Sequence, residues 1–195
     1  MSPRLDLVVG CNGAGKSTLI HSTLLKIIYE TLLVNADDIA RQRWPDDPEG
    51  NSYEAARIAS SLRQALIASR RSFIAETVFS HPSKIELLDE ASSAGFSVYL
   101  HVVMIPEDLA VARVATRVEK GGHSVPEHKI RERYRRLWPL VAQAAEKADR
   151  IAIYDNADEH MRLVVSFDRS SQRTDDVDWP DWTPEALRQL HSNLR

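Results

Sequence analysis

The stretch GCNGAGKST (10–18) fits G-x-x-x-x-G-K-[ST] at every fixed position. Its glycines let backbone N–H groups turn inward on phosphate oxygens, and the positive end of a following helix adds to that field. Lys16 supplies a mobile charge, and the Ser17 hydroxyl is of the type that coordinates Mg²⁺. Gly10, Asn12, Gly13, Ala14, Gly15, Lys16, Ser17 and Thr18 are therefore candidates for binding the phosphates of ATP. Cys11 and Asn12 fall at variable positions of the motif, and neither side chain is assigned chemistry.

Two further sets of residues carry chemistry. Asp37 and Asp38 follow a second apolar run, LLVNA (32–36), and Glu76 ends a third, SFIAET (72–77). In parallel sheets ligands bind beyond the carboxyl ends of strands, which puts these acids on the phosphate loop's side. A hydroxyl nucleophile needs a carboxylate to orient it and take its proton. Each acid has an alternative reading as a helix cap or a solvated loop residue, Asp38 more so than Asp37. The second set is basic. Arg113, Arg117 and Lys120 share one helical face, opposite a stripe of Val111, Val114, Ala115 and Val118. Farther on, Ile130, Tyr134, Leu137 and Val141 form an apolar stripe with Arg133 at its edge, while Arg131 and Arg135 are expected to face water. Two basic helices around Gly121-Gly122 suit a lid (112–136) that closes over a transferred phosphate and excludes water. A purely structural helical hairpin satisfies the same periodicity.

These residues need a scaffold, and the alternation of β-rich runs with helical periodicity describes one. LDLVVG (5–10) reads as a first strand and 16–30 as the helix after it. Asn51 with Glu54 resembles a capping box ahead of Ile58, Leu62 and Leu66. Residues 83–94 form a helix closed by Gly95, and SVYLHVVMI (97–105) is a strand apolar enough to be buried on both faces. Residues 127–148 give a long amphipathic helix containing Pro139. RIAIYDN (150–156) and MRLVVSFD (161–168) complete the strands. Thr183 and Pro184 look like the cap and first residue of a short terminal helix, beyond a polar stretch that opens the tail 169–195. The order is βαβα, hence an α/β fold of the P-loop type with a mainly parallel sheet and helices on both faces. Without repeats or linkers, a single domain over 1–195 is expected.

The bulk numbers are consistent with this. Over 195 residues, 43% hydrophobic and 27% charged residues describe an ordinary globular chain. A net charge of −3 gives no reason to expect nucleic acid. The single cysteine, Cys11, excludes an internal disulfide and suits a reducing compartment. VVGC looks like a lipoprotein processing site, but the apolar run before it is too short and contains Asp6. No window approaches a membrane span, so a cytoplasmic protein without membrane contact is expected.

Among phosphate-loop proteins, an ABC-type ATPase should show an LSGGQ-like signature and a strand ending in Asp-Glu, and a GTPase should show N/T-K-x-D. All are missing; LLDE (87–90) falls in a helical segment. A small-molecule kinase remains, acting on an antibiotic, a nucleotide, a sugar acid or a sugar. A nucleotide-gated binding protein with little turnover is the reading from another class. A polynucleotide 5′-kinase would need a basic track for the strand, which the chain lacks.

VNADDIA (34–40), FIAETVFS (73–80) and RVEKGGHSVPEHKIRERYRR (117–136), in that order behind the phosphate loop, resemble the zeta-toxin family of small P-loop kinases. ADRIAIYDN (148–156) is also similar to a segment of its compact members. The resemblance spans about residues 5–156, and GGHxVP is its most specific part. It implies a shikimate-kinase-like core and transfer of the ATP γ-phosphate to a sugar hydroxyl, the family's substrate being a UDP-N-acetylamino sugar phosphorylated at its 3′-hydroxyl. Carried over, Lys16 and Ser17 match the phosphate-loop lysine and Mg²⁺-binding hydroxyl. Asp37 matches the catalytic base, Glu76 and Thr77 the substrate-binding strand end, and Arg117 and Arg133 the γ-phosphate arginines. Asp38 is placed with the substrate-binding group; Asp155 and Asn156 match a segment without an assigned role, and a tight turn explains them equally well. His123 is read as shaping the lid. The family also implies a small helical antitoxin that blocks the nucleotide site. This chain departs from the pattern at Ala40, where the family often has Arg, with Arg41 next and Trp44-Pro45 beyond. It also lacks the extra helices of longer toxins that grip a nucleotide sugar, so its substrate pocket is expected to differ there.

Overall fold

A computed structural model describes residues 2–28, 31–119, 125–169 and 177–193. Six strands form one sheet in the order β2-β3-β1-β4-β5-β6. They are β1 (Arg4–Val9), β2 (Leu32–Asn35), β3 (Phe73–Thr77), β4 (Ser97–Met104), β5 (Arg150–Asp155) and β6 (Arg162–Asp168). β1 through β5 pair in parallel, and β6 turns back antiparallel on β5. Leu7, Val8 and Val9 are all fully buried in β1, as are Val103 and Met104 in β4. Successive residues of a strand point to opposite faces, so helices must cover both. The expected sheet is the observed one.

After β1 the chain enters α1 (Lys16–Leu19), widens into a π-helical turn over Ile20–Leu24, and tightens again as α2 (Leu25–Ile27). The helix expected over 16–30 is thus not a uniform one, and residues 29 and 30 lie outside the described part. α3 (Ala36–Arg43) and α4 (Ser52–Ala68) lead into β3, and α5 (Ser83–Ser93) leaves it, closed by Gly95 at φ 78°. α6 (Glu107–Glu119) and α7 (Glu127–Ala145) follow β4, with Pro139 inside α7, and α8 (Glu185–Asn193) is the terminal helix.

Five details differ from expectation. Asn51 and Glu54 form no capping box: Asn51 Nδ2 donates to the Asp47 carbonyl, and Glu54 is drawn to Arg57 one turn on. The buried face of α4 is set by Ala55, Ala59, Arg63, Leu66 and Ile67, leaving Leu62 39% exposed. On α6, Ala110 and Val114 are buried, whereas Ala115 and Val118 face outward, because the helix packs by its N-terminal half. Arg131, only partly exposed, is not simply solvated; it bonds Asp108 (2.8 Å), Glu127 (2.9 Å) and Glu107 (3.3 Å), tying α7 to the acidic first turn of α6. Thr183 is buried, and its hydroxyl makes no cap hydrogen bond. The Gly121-Gly122 hinge, Lys120 and His123 lie outside the described residues.

Candidate active site

β1 delivers the chain to the phosphate loop at the carboxyl end of the sheet. A side chain at Gly10 would collide with the Val103 carbonyl of β4, and one at Gly15, held at φ 94°, would collide with Asn156. Both positions therefore require glycine. Lys16 closes the loop from within: its ammonium donates to the Cys11 carbonyl at 3.1 Å and is 8% exposed. Burial pushes the Cys11 thiol up to about 11, with the Lys16 charge opposing this weakly, so Cys11 packs as a small apolar residue.

Glu76 is the hub of the site. The register of the sheet sets it beside Val8 of β1 and Asn35 of β2. Its carboxylate accepts from Ser17 Oγ at 3.0 Å and from Asn35 Nδ2 at 3.0 Å, and it stands 3.8 Å from Lys16 Nζ. Asn35 also caps α3, its Oδ1 accepting from the Asp37 N–H at 2.8 Å. One amide thus holds Glu76 and aims the helix turn that carries Asp37. The sequence reading passed over Asn35, although an asparagine between a strand and a helix is an N-cap signal.

A cavity of about 670 Å³ opens over these groups. Asn12, Gly13, Gly15, Lys16, Ser17 and Thr18 line it from the loop, while Gly10 and Ala14, both buried, do not. Asp37, Glu76 and Thr77 reach it from β2–α3 and β3, and Arg117 and Arg133 reach it from α6 and α7, joined by Arg113. Asp38 is not brought in; it points along α3 to an ion pair with Arg41, which does line the cavity. Asp155 is buried, accepting from the Ala157 N–H and standing 3.5 Å from Arg162. Asn156 clamps the loop: its Nδ2 donates to the Ala14 carbonyl at 2.8 Å and its N–H to the Met104 carbonyl at 3.0 Å. Arg63 and Lys84, which motif reading did not single out, also line the cavity. Among the described residues, no three His, Cys, Asp or Glu side chains cluster as a metal site, and no helix is long and apolar enough to cross a membrane.

The comparisons with known proteins bear on the family and the fold. The family model described as Zeta toxin matches residues 1–163. An uncharacterized protein of Haemophilus influenzae is 32% identical over 128 residues, 64% of this chain and 88% of that one. Among solved structures, one from the PezAT chromosomal toxin-antitoxin system of Streptococcus pneumoniae superposes with a TM-score of 0.66 at 17% identity, covering 99% of this chain and 86% of the other. Shikimate kinase from Acinetobacter baumannii, in complex with shikimate, superposes with a TM-score of 0.53 at 18% identity over 82% of this chain and 86% of that one. These likenesses establish a P-loop kinase-type fold of the shikimate-kinase kind. With the family model spanning β1 through β5 and the start of β6, the chain belongs to the zeta toxin family.

Proposed function

We propose that the protein is an ATP-dependent phosphotransferase that moves the γ-phosphoryl group to a hydroxyl of a small molecule, a UDP-N-acetylamino sugar. The observation that carries this reading is the convergence in one cavity of Lys16 and Ser17, the Asp37 carboxylate, and Arg117 and Arg133. In the step, the acceptor oxygen attacks the γ-phosphorus, the bond from that phosphorus to the β,γ-bridging oxygen breaks, and ADP leaves. The acceptor's proton passes to Asp37, whose carboxylate has no side-chain partner among the described residues. Lys16, Arg117 and Arg133 offset charge on the transferred oxygens. The donor set fits Mg²⁺, which keeps most of its waters and takes one or two protein oxygens. Ser17 Oγ and the Glu76 carboxylate, 3.0 Å apart, would hold it. When bound, the ion would neutralise phosphate charge.

Family membership further supports a small antitoxin partner that covers the nucleotide site, and ATP as the phosphoryl donor. The test is incubation with Mg·ATP and a panel of acceptors led by UDP-N-acetylglucosamine, read by mass spectrometry. A sugar nucleotide heavier by one phosphoryl group, formed by wild type and not by Asp37→Asn, is the expected result. ADP formation without any modified sugar would reject the acceptor class.

A further inference from the structure

The turn of α7 that carries Arg133 is fastened on its other side. Arg131 donates from Nε to Glu127 at 2.9 Å, and from Nη1 to Asp108 at 2.8 Å and Glu107 at 3.3 Å. Arg135 stands 3.8 Å from the same Glu107 carboxylate. Tyr134, which is buried, donates from its hydroxyl to the Ile105 carbonyl at 3.0 Å. Burial pushes the pKa of that hydroxyl up, so it keeps its proton and remains a donor. Ile105 follows β4 directly and Glu107 opens α6, so these bonds tie one turn of α7 to the junction from which α6 departs. With about 100° of turn per residue, Arg131, Tyr134 and Arg135 share one side of α7, and Arg133 lines the cavity from the other.

Folding stability does not account for this arrangement. The Arg131 side chain is 32% exposed and that of Asp108 88% exposed, and ion pairs so open to water contribute little to folding. The stripe of Ile130, Tyr134, Leu137 and Val141 already buries α7 against the core. Apolar burial is non-directional, however, and tolerates a small roll of the helix about its axis. Hydrogen bonds are directional, and a planar guanidinium joined to three carboxylates satisfies them in one orientation. A roll of about 20° would carry a side-chain tip, about 5–6 Å from the axis, through about 2 Å. Misplacement by about 1 Å can slow a positioned reaction by about 100-fold. The network therefore weighs little on folding and heavily on where Arg133 stands relative to α6 and Arg117.

We propose that Arg131, held by Glu107, Asp108 and Glu127, is a positioning residue that sets Arg133 against the γ-phosphate of bound ATP. Placing Arg133 at that phosphate rests on the kinase reading above, so the test reads binding rather than turnover. Affinities for Mg·AMP-PNP and Mg·ADP, which differ by the γ-phosphoryl group, are measured calorimetrically in wild type, Arg131→Gln, Arg133→Ala and the double variant. Their ratio isolates contacts to the γ-phosphate. It is expected to fall about tenfold or more in Arg133→Ala, the worth of a charge-assisted hydrogen bond, and about fivefold in Arg131→Gln. In the double variant Arg131→Gln should add nothing, because the side chain it positions is gone. Mg·ADP affinity should stay within about twofold of wild type throughout. A ratio unchanged in either single variant, or one lowered by Arg131→Gln equally with and without Arg133, overturns the proposal. Should Arg131→Gln fail to fold, Asp108→Ala at its exposed position decides, with an expected fall of about threefold. A protein that follows this pattern yet phosphorylates no acceptor would support the positioning role and reject the kinase reading. Phosphoryl transfer by wild type with a ratio indifferent to Arg131→Gln would do the reverse.

Discussion

Lys16 and Ser17 are neighbours where the phosphate loop enters α1, whereas Asn35, Asp37, Arg63, Glu76 and Lys84 come from five separate elements. The loop half of the cavity is local: glycines that tolerate positive φ and close backbone approach fold it wherever a strand feeds a helix. The other half, where the proposed acceptor would bind, is tertiary. It depends on the register that sets Asn35 and Val8 beside Glu76, on α3 packing against α4, and on α4 packing against β2. A local half is robust and shared among many phosphate-loop proteins. A tertiary half can change residue by residue, and on the proposed reading it is the half that would set the acceptor.

Substitutions in the two halves should fail differently. The largest effect is expected from Arg117→Ala and Arg133→Ala, each lowering turnover on the order of 10³-fold by loss of charge stabilisation on the transferred group. Steady-state kinetics with both variants fully active would remove α6 and α7 from the chemistry. Asn35→Ala should lower turnover roughly 10–100-fold, because Glu76 loses a donor that orients it. The same change removes the cap of α3 and should cost about 1 kcal/mol in a denaturant titration. A stability loss without a kinetic one would reduce Asn35 to a cap. Asn156→Ala frees the Ala14 carbonyl and should weaken ATP binding by roughly fivefold, the worth of one hydrogen bond. Unchanged affinity would mean that the loop holds its shape unaided. The smallest response is at Cys11. With its thiol pushed up to about 11, roughly one part in a thousand is thiolate at pH 8, and the sulfur is buried. Native protein should resist iodoacetamide and react only on unfolding; fast labelling of the folded form would contradict the packing of the loop.

The same contrast explains what could be read from the sequence. The alternation of strands and helices, the loop, and the acids at strand ends were legible because each is a local signal with a fixed consequence in a parallel sheet. Arg63 was not, because it falls on the row of Ala55 and Ala59 that reads as a core face, and its neighbour Lys84 lies on another helix. Asn156 was matched but given no role, since it meets Ala14 across 142 residues of chain. The capping box at Asn51 and Glu54 misled because both side chains had other partners within one turn, the Asp47 carbonyl and Arg57. The stripe on α6 ran past the point where the helix leaves the core.

Asp37 joins the two halves, and its replacement by asparagine tests the reading most directly. Single-turnover phosphoryl transfer and ATP binding would be measured side by side in wild type and Asp37→Asn. Transfer slowed by roughly 10²–10⁴-fold with ATP affinity preserved is the expected result. Transfer at near wild-type rate in Asp37→Asn would contradict the assignment of the base, and with it the proposed chemistry of the cavity.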